Sequence, residues 1–407
     1  MKKKLYEFVE KRVNNDNIQT MILLSFAVVI FIKVKNTNDI KISDMIDYSV
    51  ILSVTVLFLS KIISAIISKF IGRICEDAAK LSYNYGELAK KYQLSELITI
   101  FKESGNTRKT FRLPVELICV RKATEEAYEI KLNYSQKNYV LPKQIARISS
   151  HLIKAHKESV IYNSRCFRVD KITKINSEIN MNISKTSYYD SLLTNRAMGF
   201  RWPDGRSIRE VYEPGPYITS LEDSKMSNHI GINGIIETID ERFIFFRKSR
   251  NNSIGKNTIG TSIGTLLKAE YALKRDDSLI EDTIVKVIEK EIEYNLGIKD
   301  IEITSENIVA IYRDLVEGGK PQILFYKKLD IEKEIKAERA GGKPIFIKKN
   351  TVMNGEFKAG GIGTSSGFYS MMPSVVASIV LIKYHLDDSI PFPLQNTNQD
   401  KLTENRE

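Results

Sequence analysis

Two long apolar runs in the first quarter of the chain constrain its architecture most, because no run of comparable length follows them. The first, residues 18–34, reads IQTMILLSFAVVIFIKV and carries a single charge, Lys33, near its end. The second begins near Met45 and continues through Lys61. About 20 apolar residues cross the hydrocarbon core of a bilayer, and about 17 suffice when flanking lysines reach the interface. The pattern predicts a transmembrane helical hairpin at residues 18–73.

The basic residues around the two runs predict their orientation. Lysines and arginines are concentrated before the first run and after the second, whereas the connecting loop carries few. The positive-inside rule therefore predicts a two-pass protein with both termini in the cytoplasm and the lipid bilayer as a partner. The location that we expect is the bacterial inner membrane. A signal peptide and a buried helical hairpin are the competing interpretations. No small-residue cleavage site follows Val34, which counts against the signal peptide.

The amino-acid composition limits the classes of protein to which the chain can belong. The 407 residues include 61 Lys and Arg against 50 Asp and Glu, a formal charge of +11, and 43% are hydrophobic. This balance excludes a chain that is disordered throughout. The three cysteines are widely spaced and form no C-x-x-C motif, which argues against a disulfide framework or a structural zinc and favours a reducing compartment. The basic residues are dispersed, so nucleic acid is not an expected partner.

The rest of the chain divides by its residue patterns. A cytoplasmic N-terminus, residues 1–17, precedes the hairpin, and residues 74–109 have apolar positions at helical spacing, which predicts a helical stalk. Over residues 110–386, short β-branched and aromatic strings alternate with helical patterns. That alternation predicts an α+β cytosolic domain whose last helix is Ser374–His385. A polar tail, residues 387–407, follows.

The order of elements after Ile230 resembles a known family. The chain reads IGINGIIETIDERFIFFRKSRN, a strand hairpin ending in a basic cluster, and then a Gly-rich loop, IGKNTIGTSIG. An acidic helical stretch that closes at L-G-I follows, and then a strand pair around GGKP. This order resembles the Nudix fold, an α/β/α sandwich, and the resemblance covers residues 110–386. It implies a cleft that recognises a nucleoside diphosphate linked to another group.

The catalytic box of that family is degenerate in this chain. The box is a glycine, five residues, a glutamate, seven residues and then R-E-U-x-E-E-x-G-U, where U is aliphatic. Alignment on L-G-I places Lys290 on the arginine and Glu291 on the first glutamate of the second half. Tyr294 and Asn295 then stand where the paired glutamates are needed. A tyrosine and an amide cannot replace carboxylates that hold a divalent cation, so the resemblance implies a domain without magnesium-dependent catalysis.

The opening half of the box leaves one alternative. Gly264 and Glu270 match its glycine and glutamate, but the gap from Glu270 to Lys290 is about twelve residues too long. If activity remains, Glu291 with Glu270 would be its catalytic pair and Mg²⁺ its cofactor. Otherwise the sequence predicts no cofactor and no metal site, because the four histidines are too scattered to form a ligand set.

Four basic residues are candidates for binding phosphate. Arg247, Lys248 and Arg250 end the second strand of the hairpin, and Arg313 precedes GGKP. Such side chains bind phosphates through charge-assisted hydrogen bonds. A solvated strand end is the alternative interpretation of the first three.

The favoured hypothesis is a membrane-anchored sensor and effector, without enzymatic activity, whose Nudix-like domain binds a nucleotide-derived ligand. Binding would drive assembly of the hairpin in a homo-oligomer, as in membrane-permeabilising effectors of bacterial antiviral defence. The alternative is a membrane-bound Nudix hydrolase that cleaves a nucleoside diphosphate derivative with Mg²⁺. A protein that tethers nucleic acid ranks last, because its basic residues form no stripe.

Overall fold

A computed structural model describes residues 81, 84–104, 107–154, 163–202, 204–249, 254–330 and 342–393 of the chain. Apart from residues 201–206, the described residues belong to one unit. The elements of its first half are, in chain order, α1 (Tyr85–Lys91), β1 (Leu97–Ser104), β2 (Thr107–Val120), β3 (Glu129–Asn138), α2 (Lys143–Ala146), α3 (Ser149–Lys154), β4 (Arg165–Ile175), β5 (Glu178–Ser187), α4 (Tyr188–Leu193) and α5 (Ile208–Tyr212). A 3-10 turn, Asn195–Ala197, lies between α4 and α5.

The second half of the unit contains more strands. Its elements are β6 (Gly231–Glu237), β7 (Arg242–Lys248), β8 (Ile259–Gly260), β9 (Ile263–Leu266), α6 (Ala269–Ala272), α7 (Thr283–Leu296), β10 (Ile308–Asp314), β11 (Lys320–Lys328), β12 (Gly342–Lys348), α8 (Lys349–Met353), β13 (Glu356–Lys358), β14 (Gly361–Thr364), β15 (Gly367–Ser370) and α9 (Pro373–Leu386). The final helix agrees with the one that the sequence predicts at Ser374–His385.

The largest sheet among the described residues is mixed. Its strands lie in the order β1-β2-β10-β11-β6-β7-β12, with β9 paired to β6 and β8 to β7. Neighbours are antiparallel except β11 and β6, whose parallel register pairs Gln322 with Gly231. Because β7 and β9 run opposite to β6, both of them end at the edge where β6 and β11 begin. The ends of four strands therefore meet at one edge of the sheet.

Helices cover both faces of this sheet. Ile311 on β10 belongs to the core that contains α7, whereas the hydroxyl of neighbouring Tyr312 contacts Ser374 O at 3.2 Å and Ser378 Oγ at 3.1 Å, both on α9. Successive side chains of a strand point to opposite faces, so α7 and α9 lie on opposite sides. The smaller sheet, in the order β3-β5-β4, contributes Phe167 to the same core as α7.

Helix α7 forms because its apolar residues recur on one face. Its buried apolar residues are Ile284, Val287, Ile288, Ile292 and Leu296. Positions three and four apart share a helix face, and this face packs on the core. Gly297 ends the helix with a φ of +70°, a conformation that glycine adopts without the strain a Cβ would cause. Glu291 lies on the buried face, so its carboxylate is carried into the interior.

The predicted fold class and the predicted location in the bacterial inner membrane are corrected by this structure. Among the described residues, no helix is long and apolar enough to cross a bilayer. The long helices α7 and α9 have 14 residues each, which spans about 21 Å against the roughly 30 Å of a hydrocarbon core. The hairpin assigned to residues 18–73 lies outside the described residues. The fold that the structure supports is an α+β fold with mixed sheets.

The predicted helical stalk also differs from the structure. Helix α1 covers only seven residues of it, and Leu97–Ser104 forms strand β1, which pairs antiparallel with β2. The string LITIF satisfies helical spacing in isolation, but its β-branched residues also suit a strand with a partner. Tertiary pairing with β2 decides the outcome.

Gly318 and Gly319 form the turn between β10 and β11, the strand pair that the sequence predicts around GGKP. Their φ angles are +62° and +80°, a region that side chains disfavour. A Cβ on Gly318 would lie 2.7 Å from Met198 Sδ, and one on Gly319 would lie 2.6 Å from Arg313 Nη2. The turn therefore requires glycine both for its backbone and for the space around Arg313.

We predict that Gly234→Ala lowers the free energy of unfolding by about 1–3 kcal/mol, because overpacking forces side chains and backbone to shift. Gly234 on β6 faces Phe325 on β11, and a Cβ there would lie 2.0 Å from Phe325 Cζ. Gly264→Ala on β9 is the matched control, since its Cβ would meet nothing nearer than 3.5 Å. Urea denaturation of the full-length chain measures both, and equal stability of the two variants would contradict the packing of β6 on β11.

Candidate ligand-binding site

A buried ion pair joins α7 to the end of β9. Lys268, which directly precedes α6, approaches Glu291 to 2.5 Å between Nζ and Oε1, and the two side chains are 9% and 2% exposed. The Asn295 amide donates to Glu291 Oε2 at 3.0 Å and to the Glu291 carbonyl at 2.8 Å. A buried charge pair is stable only when further hydrogen bonds satisfy it, and Asn295 supplies one. Glu291 Oε1 is thus held in an ion pair, and Oε2 accepts a hydrogen bond from the protein.

Two tyrosines flank this ion pair. Lys268 Nζ lies 5.3 Å from the ring centroid of Tyr271 and 5.5 Å from that of Tyr294, within the range of cation–π attraction. Tyr271 is half-buried, whereas Tyr294 is 48% exposed. An exposed aromatic ring that is held in place by a buried cation offers a flat surface on which a planar ligand group can stack.

The residues present do not fit a magnesium site. Glu270, in the first turn of α6, is exposed, whereas Glu291 is buried under Lys268. Within the part of the chain that the structure describes, no three His, Cys, Asp or Glu side chains are grouped so that they could hold a metal ion. Mg²⁺ requires oxygen ligands with free lone pairs, and the Lys268 ammonium on Glu291 would repel it.

A second set of charged side chains, the charged cluster, surrounds the turn between β10 and β11. It comprises Arg196, Lys248, Asp314, Glu317 and Lys320. Arg196 Nε lies 3.2 Å from Glu317 Oε2, and Lys320 Nζ lies 3.5 Å from Glu317 Oε1. Lys248, at the end of β7, is half-buried, and its ammonium would lie 3.4 Å from a Cβ on Gly255. Glu317 is thus shared by two cations.

Asn195 fixes the loops on which the charged cluster stands. Its Nδ2 donates to the Glu317 carbonyl at 2.8 Å and to Asn228 Oδ1 at 3.1 Å, and its Oδ1 accepts from Asn228 N at 2.9 Å. Asn228 Nδ2 and both ring nitrogens of His229 are fully buried, and none of them has a hydrogen-bond partner among the described residues. Buried polar atoms are nearly always hydrogen-bonded, so these nitrogens are suited to a group outside the chain.

Burial and neighbouring charges shift the pKa values in the charged cluster. Burial lowers the pKa of Lys248 to about 8, although Glu317 opposes this shift. Burial, reinforced by Glu317, raises the pKa of Asp314 to about 6. Burial also favours the neutral acid at Glu317, but Lys320 and Arg196 outweigh it and lower that pKa. For His229, burial followed by the charges of Lys320 and Arg196 holds the pKa well below its ordinary value, so the ring is neutral.

Cys166 on β4 lies close to both sets of charges. It forms an isolated antiparallel bridge with Lys268, and its thiol is affected by the charges of Lys320 and Arg196. Burial, reinforced by Asp190, nevertheless raises the pKa of this thiol to about 12. The thiol therefore stays protonated and supplies no nucleophile to the site.

Of the four basic residues that the sequence proposes for phosphate binding, the structure brings Lys248 into the charged cluster. Arg247 is exposed, and as the neighbour of Lys248 on a strand it points to the other face. Arg250 lies outside the described residues.

Arg313, the fourth, is buried and bonded to the protein. Its Nε donates to the Gly319 carbonyl at 2.9 Å, its Nη2 to the Thr219 carbonyl at 2.7 Å and its Nη1 to Glu116 Oε2 at 3.2 Å. These contacts connect the β10–β11 turn to β2 and to the segment before β6. The guanidinium thus stabilises the loop that carries Glu317.

Sequence reasoning missed Lys268, Arg196 and Lys320. Arg196 and its partner Glu317 are 121 positions apart, and no spacing rule connects two such residues. The signal that was available is the string IGTLLKAEYA, in which Lys268 stands between apolar residues. A lysine that is buried by its neighbours needs a counter-charge, and that need points to a carboxylate elsewhere in the core.

We predict that Lys268→Met lowers the free energy of unfolding at neutral pH by about 3–5 kcal/mol, because it leaves the Glu291 carboxylate buried without its counter-charge. The double variant Lys268→Met/Glu291→Leu should recover most of this loss, since it removes the unpaired charge as well. Lys290→Met is the control, because its pair with Glu293 is largely exposed and should contribute under about 1 kcal/mol. Equal losses for Lys268→Met and Lys290→Met would contradict the buried pair.

We predict that Asp314→Asn removes a pH dependence of stability. The folded-state pKa of about 6 exceeds the ordinary 3.8, so between these values the folded chain binds a proton that the unfolded chain releases. The stability of the wild type relative to Asp314→Asn should therefore fall as pH rises from about 4 to about 6 and then level off. The asparagine oxygen can still accept from Val316 N, as Asp314 Oδ1 does. If denaturation experiments show that the stability of the wild type relative to Asp314→Asn rises with pH, this would contradict the raised pKa of Asp314.

Comparison with known proteins gives remote structural matches. No protein-family model matches the chain, and no curated protein matches it. Among solved structures, DR0079 from Deinococcus radiodurans is 10% identical, with 31% of this chain and 70% of that chain covered and a TM-score of 0.21. A MutT protein from Methanosarcina mazei Go1 is 14% identical, with 31% and 82% covered and a TM-score of 0.21. A hydrolase of the Nudix family from Clostridium perfringens is 9% identical, with 39% and 98% covered and a TM-score of 0.25. Likeness of this degree assigns no activity to the chain.

Proposed function

We propose that the described unit is a Nudix-like domain that binds a nucleotide-derived, phosphorylated ligand and does not hydrolyse it with magnesium. The order of its elements supports the first part of this proposal. A strand hairpin, β6–β7, precedes a Gly-rich segment, the helix α7 that ends at Gly297, and the strand pair β10–β11. This is the order on which the resemblance in the sequence rests.

The observation that carries the proposal is the contact between Lys268 and Glu291. Glu291 is the one carboxylate that the sequence retains in the second half of the box, and the Lys268 ammonium lies 2.5 Å from its Oε1. A metal ion at this position would have to displace the buried Lys268 side chain, and the attraction between Lys268 and Glu291 would then be lost. A fixed ammonium thus provides the positive charge near the ligand that a bound cation provides in a hydrolase, but it activates no water molecule.

The surroundings of this pair suit a nucleotide. Tyr294 presents an exposed ring next to Lys268, and stacking on such a ring is available to any base. Cys166 connects this pair with the charged cluster, since its backbone forms a β-bridge with Lys268 and its thiol is affected by the charges of Lys320 and Arg196. A ligand with a planar base and a phosphorylated arm matches this combination of aromatic and cationic groups.

A domain that binds such a ligand without consuming it acts as a sensor. Its occupancy follows the ligand concentration and ends by dissociation, so the bound state can bias the assembly of the chain for as long as the ligand persists. Homo-oligomerisation in response to the ligand is the corresponding output.

We predict that the full-length chain binds a nucleoside diphosphate derivative such as ADP-ribose equally well with Mg²⁺ and with EDTA, and that it releases no product. Calorimetric titration measures the binding, and chromatography of the same samples measures turnover. Tyr294→Ala should weaken binding roughly tenfold, the effect of losing one stacked base. Phe368→Ala is the control, because Phe368 is also an exposed aromatic residue but lies on β15.

The hydrolase alternative predicts a different result. Turnover would require Mg²⁺ and would be lost in Glu291→Gln, whereas Glu293→Gln, a change at a partly exposed position of the same helix, would retain it. Such a result would refute the proposed function, since it would show that Glu291 leaves Lys268 in order to hold a cation.

A further inference from the structure

The charged cluster holds more positive than negative charge. Arg196, Lys248 and Lys320 face Asp314 and Glu317, which leaves one positive charge in excess. Lys320 is 4% exposed, and Glu317 and Asp314 are 5% and 0% exposed. Arg196 and Lys320 balance Asp314 and Glu317, so the excess charge is that of Lys248, which is half-buried. An anion that reaches Lys248 can therefore form a charge-assisted hydrogen bond with it.

The carboxylates of the cluster form ion pairs with Arg196 and Lys320 but not with Lys248. Glu317 has one oxygen 3.2 Å from Arg196 Nε and the other 3.5 Å from Lys320 Nζ. Lys248 forms no ion pair with any described carboxylate, although its side chain lies over Gly260 and its ammonium approaches Gly255. A Cβ at Gly260 would lie 2.9 Å from Lys248 Cε, so glycine at that position allows the lysine to lie where it does.

A second, independent observation also indicates a missing group. Asn228 Nδ2 and both ring nitrogens of His229 are fully buried and have no hydrogen-bond partner among the described residues. The Asn195 amide donates both to Asn228 Oδ1 at 3.1 Å and to the Glu317 carbonyl at 2.8 Å, which places Asn228 next to the charged cluster. The neighbouring His229 is affected by the charges of Lys320 and Arg196. The Asn228 amide N–H and the one N–H of the neutral His229 ring are donors, whereas the second ring nitrogen is an acceptor. Donors beside a cation without a carboxylate partner are suited to an oxyanion.

We propose that the charged cluster is a binding site for a compact oxyanion of the phosphate type, held by Lys248 and Lys320 with Asn228 and His229 as neutral donors. The inference rests on the proposed function in one respect, since it names the groups that hold the phosphoryl arm of the ligand. Glu317 pairs with Arg196 and Lys320 in the absence of the anion and keeps these two cations in place.

The site also predicts a pH dependence, because its charged groups titrate near neutrality. The groups that act on Lys248 are Glu317, Arg196, Lys320 and Asp314. Deprotonation of Lys248 above about pH 8 removes a cation, and protonation of Asp314 below about pH 6 removes a competing carboxylate. Affinity for an anion whose own charge stays constant should therefore fall as pH rises through each of these values.

The test is a titration of the full-length chain with sulfate, which keeps its double charge over this range of pH. Lys248→Gln should bind sulfate at least about tenfold more weakly than the wild type, the loss that follows removal of one charge-assisted contact. Lys343→Gln is the matched control, since Lys343 is an exposed lysine on the neighbouring strand β12 and should leave the affinity unchanged. Lys248 is only half-buried, so thermal unfolding of Lys248→Gln should match that of the wild type.

Two results would overturn the site. One is sulfate binding that is equal in the wild type and in Lys248→Gln, which would mean an adventitious ion only. The other is affinity that does not change between pH 7 and a pH above the Lys248 pKa of about 8. Competition between sulfate and ADP-ribose would support the site as the seat of a phosphoryl group in a larger ligand, and simultaneous binding would support it as a site for free phosphate.

The outcomes separate this inference from the proposed function. Metal-independent binding of ADP-ribose together with failure of the sulfate test would retain the function and refute this site. Magnesium-dependent hydrolysis together with Lys248-dependent sulfate binding would retain the site and refute the function.

Discussion

The parallel pairing of β6 with β11 is the constraint on which both candidate sites depend. It pairs Gly231 with Gln322, so the two strands begin side by side. Strands β7 and β9 run the opposite way and end at the same edge, with Lys248 as the last residue of β7 and Lys268 two residues after β9. One register therefore assembles basic residues that are far apart in the sequence. A slip of one residue would turn alternate side chains to the other face and disperse them.

The two sets of charges differ in how they are balanced. The ammonium of Lys268 has a carboxylate at 2.5 Å, and an amide satisfies the other oxygen of that carboxylate. Within the described part of the chain, the charged cluster has a cation without a carboxylate partner and buried nitrogens without hydrogen bonds. The first arrangement is complete within the chain, which suits a fixed element of the site. The second is incomplete, which suits a place where a ligand is received.

Local patterns in the sequence predicted part of the fold. The turn at Gly318 and Gly319 and the helices α7 and α9 follow from glycine conformation and from apolar spacing, which act over a few residues. The segment of strand β1 was predicted as helix because its apolar residues recur at helical spacing. Its pairing with β2, which local spacing does not show, makes it a strand. The membrane hairpin was a prediction from residues 18–73, and the described residues contain no helix that could span a bilayer.

The sequence could predict a residue of the candidate site only where the type and position of that residue alone indicate phosphate binding. Lys248 was proposed from its place at a strand end, and it lies in the charged cluster. Arg313 was proposed in the same way, yet the structure buries it against Glu116 and two carbonyls. The partnership of Lys268 with Glu291 arises from tertiary packing between β9 and α7, which no spacing in the sequence encodes.

The most direct test of the account is a structure of the full-length chain with ADP-ribose and Mn²⁺, in which anomalous scattering locates the manganese. We expect that the Lys268 ammonium stays on Glu291, that no manganese lies at Glu291, and that a phosphoryl group lies against Lys248 and Lys320. Manganese coordinated by Glu291, with Lys268 displaced, would contradict it.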